Sequence, residues 1–322
     1  MRGLFAERVV MPIFALQDPI PAEGAAAEGH FDAGKTIIEH VSNNLEHPIV
    51  HLPKIMGIDF SITKHVLMLW LVAAFLVVVL TALVRRYLAQ DRLVPSGLMN
   101  ALEAVVEFIR DEIVRPNVGN KWVSTWAPLI LTFFFFILIS NMVGLVPIFE
   151  VLALLDRWVL HTGENSWLNH VIHGGSTATA NFNVTAALAT ITFFSIIIAG
   201  TMAYGFTTHW KNLVPHGLAW PIYILLIPIE IMGMFVRPFA LTMRLAANMT
   251  GGHIAILTIL SFVFIFAQIF GKAVAGYGVG LAVSVPLAVG ISLLEIIVVL
   301  VQAYVFTLLS AVFIGMAIHA HH

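Results

Sequence analysis

Three residues in one apolar stretch set the chemical problem. Arg237, Arg244 and His253 stand within residues 231–257, a run otherwise suited to a bilayer. An arginine at the centre of a membrane helix costs roughly 2.5–3.5 kcal/mol on insertion scales, so a chain keeps one for a counter-charge or a task. Arg244 has no acid within a helical turn on either side. Its partner must therefore lie on another segment or on another protein. A guanidinium stays protonated and relays nothing, but it can hold a facing carboxylate ionised. An imidazole titrates near neutrality and can pass a proton on.

The spacing around these residues is regular. Glu230, Arg237, Arg244 and Gly251 follow one another at seven-residue steps. On a helix each step drifts only about 20°, so the four share a stripe. Asn248, four residues after Arg244, lies beside that stripe. His253, nine after Arg244, points to nearly the opposite face. A second apolar tract carries Glu295 and Gln302, again seven apart, with Ser292 three before Glu295 and no lysine or arginine after Lys272. Glu295 must then be protonated, hydrated or paired from elsewhere, and His253 is the expected partner if the two tracts form a hairpin. Counted from a turn near Tyr277, His253 is 24 residues back and Glu295 18 forward, which calls for a stagger between the helices. Plainer readings stand beside these. Arg237 can simply neutralise Glu230, Asn248 and Gln302 can be helix-packing hydrogen bonders, and Gly251 and Gly252 can serve close helix approach.

The composition demands membrane helices to position these groups. Of 322 residues 59% are hydrophobic and only 11% charged, against about 25% charged in soluble domains. The chain has no cysteine, which excludes disulfide and thiol chemistry. Its formal net charge is −2, and without a basic tract nothing points to nucleic acid. No phosphate-binding motif is present, so the chain does not hydrolyse ATP itself. Residues that bind a metal or cofactor are not expected. The cluster His319, His321 and His322 reads as a solvated tail.

Taken in order, residues 1–64 form an N-terminal outer region with a short apolar run at 9–16 and a linker at 22–29. Residues 65–122 hold the first span, 66–84, followed by Arg85, Arg86 and Arg92, which mark the inner side. An amphipathic helix over 95–114 then lies along the inner interface or docks a soluble partner. Residues 123–216 hold two spans, 126–146 and 184–206, joined by an outer excursion at 148–180. Asn141 is the one strongly polar residue of the first of these, and Asn181, Asn183 and Thr185 open the second. His209 and Lys211 mark the second span's inner end. Residues 217–322 hold two tracts, 220–270 and 279–319, separated by a turn at 271–280. Each tract far exceeds the ~20 residues a perpendicular helix needs. Each is either two spans or one long tilted helix, and the lack of a polar loop favours the latter. The expected fold is an all-α polytopic membrane protein with about five membrane helices and one amphipathic interfacial helix.

The run Met243-Arg244-Leu245-Ala246-Ala247-Asn248-Met249 with Gly251-Gly252-His253 resembles the signature helix of subunit a of F-type ATP synthases. The likeness extends from about Pro128 to Gln302 and includes Asn141 with Pro147, the run Asn181-Phe182-Asn183-Val184-Thr185, Glu230, Arg237, Glu295 and Gln302. It implies a near-horizontal C-terminal hairpin against a rotor ring of c subunits, with peripheral-stalk b subunits and the other synthase subunits as further partners. Protons are the implied cargo and the c-subunit carboxylate the implied partner of Arg244. Asn248, His253, Glu295 and Gln302 would line the outer half-channel, with Thr179, Asn181 and Asn183 at its mouth. Glu230 and Arg237 would belong to the inner half-channel. Here the imidazole and carboxylate are exchanged relative to many bacterial relatives, as in mitochondrial members, and Gly144 and Asn181 stand where some relatives carry acids. The implied location is a bacterial inner membrane, with the mitochondrial inner membrane as alternative. The competing functions are a secondary proton or cation antiporter and a scaffold without an ion path.

Overall fold

The structure is a computed structural model that describes residue 34 and residues 63–89, 94–145, 178–211, 220–269 and 273–319. The expected N-terminal linker, nearly all of the outer excursion, and His321 and His322 lie outside the described residues. Every regular element among the described residues is helical. Five helices are long and apolar enough to cross a membrane, and the chain is a multi-pass membrane protein.

Helix α1, Lys64–Leu88, runs past the expected end of the first span. Arg85 and Arg86 form its last turn, where cations favour the helix's negative end. The amphipathic segment starts after Gly97, whose φ of 63° suits a residue without a β-carbon. It is not one regular helix. Helix α2, Leu98–Phe108, widens into a π-helical turn at Ile109–Val114 and tightens again as α3, Arg115–Val118. The π turn buries Ile109, Ile113 and Val114. Its outer side carries Asp111, held by Arg110 at 2.8 Å and Arg115 at 3.1 Å. The hydrogen bond from Arg110 pulls the Asp111 carboxyl below the ordinary carboxylate range. No residue of α2 is buried, although Leu102, Val105 and Val106 are partly covered.

Helix α4, Val123–Leu145, is the second span. A short 3₁₀ turn, Ala178–Ala180, precedes α5, Phe182–Tyr204. Gly205 stops α5 at φ 84°, and the chain continues as α6, Phe206–Lys211.

The two C-terminal tracts are single helices: α7, Trp220–Ile269, of 50 residues, and α8, Ala273–Ile318, of 46 residues. At 1.5 Å per residue they are ~75 and ~69 Å long, more than twice the ~30 Å hydrocarbon core. Pro228 and Pro238 sit inside α7, and Pro286 inside α8. The expected turn at 271–280 is mostly helix, because α8 already begins at Ala273. Its last glycine, Gly280, serves packing instead. A β-carbon on Gly280 would lie 2.7 Å from the Cα of Val263.

The chain divides into two compact units. In one, comprising 1–70, 141–180 and 248–298, the later half of α7 and the first part of α8 run antiparallel. Gly280 meets Val263 and Gly252 meets Glu295. In the other, comprising 71–140, 181–247 and 299–322, aromatic contacts bind the helices. Phe306 meets Phe133 edge-on at 5.5 Å, and Phe193 stacks on Phe235 at 5.3 Å. Inside a bilayer such contacts hold helices together by close packing rather than by removal from water. Gly315 sits against the carbonyl of Asn117, where a β-carbon would collide with backbone.

Candidate functional site

Glu295 is buried to 3% exposure on α8. Neither of its carboxyl oxygens has a hydrogen-bond partner among the described residues. It lies directly on Gly252 of α7, and a β-carbon there would overlap its Oε1 and Cδ. The glycine is thus the seat of the carboxyl. His253 follows Gly252 in the chain and is half-buried. The hairpin therefore brings the turn of α7 that bears His253 to the carboxyl, through Gly252. The route differs, because α7 and α8 are joined through 270–272 rather than near Tyr277. From there His253 is the nearer residue and Glu295 the farther, the reverse of the stagger counted above. A direct hydrogen bond from His253 to Glu295 is absent.

In the same unit, Thr179 is fully buried. Its hydroxyl donates to Oδ1 of Asn141 at 2.5 Å. The Asn141 amide nitrogen is buried without a hydrogen-bond partner among the described residues. Thr250 of α7 donates to the carbonyl of Ala180 at 3.3 Å, fixing the 3₁₀ turn to the helix that carries Gly252. Thr250 has no signal in the sequence, whereas Asn141 and Gly252 stand out there without being assigned a site role. The signal for Asn141 was its isolation as the one strongly polar residue of its span. Asn248 is exposed on α7.

The second unit holds the other carboxylate. Glu230 accepts a 3.5 Å contact from Nη2 of Arg237, so the pairing expected at seven-residue spacing forms. Both side chains remain about one-third exposed, at 34% and 31%. The Arg237 guanidinium also lies 5.8 Å from the ring centroid of Phe313 on α8. Arg244, one further step along α7, is exposed, and it makes no ion pair or hydrogen bond among the described residues. Ala240 and Ala247 flank it on the same exposed face. Gln302 is buried on α8. Asn181 turns its side chain to its own helix, accepting the backbone N–H of Asn183 at 2.8 Å, and so caps α5. Asn183 is exposed.

His209 lies on α6, just past the span whose inner end it was expected to mark. It is buried, with its imidazole folded onto Gly200 where a β-carbon would collide. Desolvation pushes its pKa down, which favours the neutral ring. Among the described residues no three His, Asp or Glu side chains converge in a way that would hold a metal ion.

Comparison with known proteins gives this arrangement a family. The model of the ATP synthase A chain family matches residues 66–315. ATP synthase subunit a 2 of Prosthecochloris aestuarii is 40% identical over 312 residues, 92% of this chain and 85% of the relative. ATP synthase subunit a 2 of Chlorobium luteolum is 40% identical over 323 residues, 97% of this chain and 82% of the relative. ATP synthase subunit a of Chloroherpeton thalassium is 39% identical over 280 residues, 85% and 72% of the two chains. With a family match over more than half its length and relatives covered over most of theirs, the chain belongs to the ATP synthase A chain family.

Proposed function

We propose that this chain is the stator a subunit of a proton-translocating F-type ATP synthase, lying in a bacterial inner membrane. It works with the other synthase subunits, its α7 face against a ring of c subunits and peripheral-stalk b subunits holding it still. Arg244 carries the reading: an exposed guanidinium without an ion pair among the described residues, on a long and largely apolar helix. Small neighbours, Ala240 and Ala247, let another helix approach closely. A carboxylate on that helix is held ionised as it passes the cation. The guanidinium keeps its proton, so it also blocks direct transfer between the two aqueous half-channels.

Asn248, His253, Glu295 and Gln302 line the half-channel from the outer side, with Thr179, Asn181 and Asn183 at its mouth. Glu230 and Arg237 line the inner one. A proton entering from outside neutralises a ring carboxylate, which can then leave the cation and face lipid. After the ring turns, the proton leaves by the Glu230 side. Each proton brings roughly 2.3 kcal/mol per 100 mV of membrane potential. The lengths of α7 and α8 support strong tilt, since neither fits upright in a bilayer.

Reconstitution separates this reading from an antiporter. Vesicles holding the chain alone should show no cation-coupled proton movement, and vesicles holding it with its c ring should conduct protons. Exchange by the chain alone would overturn the proposal.

A further inference from the structure

Glu230 and Arg237 make one contact, at 3.5 Å, between two side chains of the same helix. A guanidinium has five donors and locks a carboxylate well only as a two-bond fork. A single long contact seven residues apart leaves its orientation free. The structure supplies a second constraint from another helix: the Phe313 ring of α8, 5.8 Å from the guanidinium carbon. An arginine within about 6 Å of a ring centroid is attracted to the ring's negative face. Nothing else among the described residues holds this guanidinium by an ion pair or hydrogen bond.

We propose that Phe313 is a positioning residue for the inner half-channel, holding the Arg237 guanidinium so that Glu230 keeps one weak charge contact and stays open to water. Phe313 touches neither proton nor carboxylate in this account and acts only through Arg237. Without the ring, Arg237 is free either to close on Glu230 as a fork, trapping it ionised, or to swing away and leave it without a cation. Both slow proton exchange. A phenol or indole offers a comparable face, whereas an aliphatic side chain of similar bulk fills the space without attracting the cation.

The inference rests on the assignment of Glu230 and Arg237 to the inner half-channel, and the test separates the two. ATP-driven proton pumping is measured in vesicles holding the whole complex, normalised to assembled complex, for Phe313→Leu, Phe313→Tyr, Arg237→Gln, Glu230→Gln and Phe313→Leu with Arg237→Gln. Phe313→Leu should lose roughly three- to tenfold. Phe313→Tyr should retain most activity. Adding Phe313→Leu to Arg237→Gln should cost nothing more. If Arg237→Gln is impaired but Phe313→Leu is silent, or Phe313→Tyr fails as badly as Phe313→Leu, or the two losses multiply in full, the positioning role is wrong while the half-channel assignment stands. If Arg237→Gln and Glu230→Gln both pump normally, the half-channel assignment itself falls and the role of Phe313 with it.

Discussion

The two membrane carboxylates of this chain are held in opposite ways. Glu295 is sealed between helices on a glycine, with no hydrogen bond to its oxygens among the described residues. Glu230 is one-third exposed beside an arginine. A sealed acid exchanges its proton only through what the protein brings to it, so the fit of the surrounding helices decides whether it works. If Glu230 lies in an aqueous half-channel as proposed, water is its substitute partner, so loss of its neighbours is tolerated better. The same residue type thus depends on packing in one place and on solvation and charge in the other.

The contrast is broken most sharply at Gly252. Gly252→Ala inserts a β-carbon where the Glu295 carboxyl sits. Displacing a reacting group by about 1 Å can cost roughly 10²-fold, and proton pumping by the assembled complex should fall on that order. Shortening the acid as Glu295→Asp in the Gly252→Ala background should recover part of the loss. Pumping by Gly252→Ala at wild-type rate would show that the glycine seat is incidental. Glu230→Gln is the smaller change. With water able to take over proton transfer, pumping should drop less than about tenfold. A collapse as deep as that of Gly252→Ala would remove the distinction between the two carboxylates.

Much of this arrangement was legible in the sequence, because membrane helices leave few polar residues to interpret. The seven-residue stripe of Glu230, Arg237 and Arg244 survives as one helix, and the Glu230–Arg237 pair forms. The long apolar tracts without polar loops are unbroken helices. Three features were not legible. Glycines at 276, 278 and 280 read as a turn, yet they continue α8, and at Gly280 the space of the missing β-carbon is taken by Val263 of the neighbouring helix. The π turn at Ile109–Val114 adds a residue to the helical repeat that no side-chain pattern announces. His209 read only as a marker of the span's end, and nothing announced that it is buried against Gly200, nine residues earlier. In each case the deciding atom is one that a glycine lacks or a backbone turn displaces, and neither shows in hydropathy.

The central claim is that Arg244 is a permanent cation facing a partner's carboxylate and separating two half-channels. The direct measurement is ATP synthesis, together with passive proton leak, in vesicles holding the assembled complex with Arg244→Ala under an imposed proton gradient. Synthesis should be abolished, with the complex still assembled because the helix loses one side chain and no backbone bond, and proton leak should rise. Arg244→Lys should also fail in synthesis, since an ammonium can lose its proton when desolvated. Synthesis by Arg244→Ala at near wild-type rate would contradict the account.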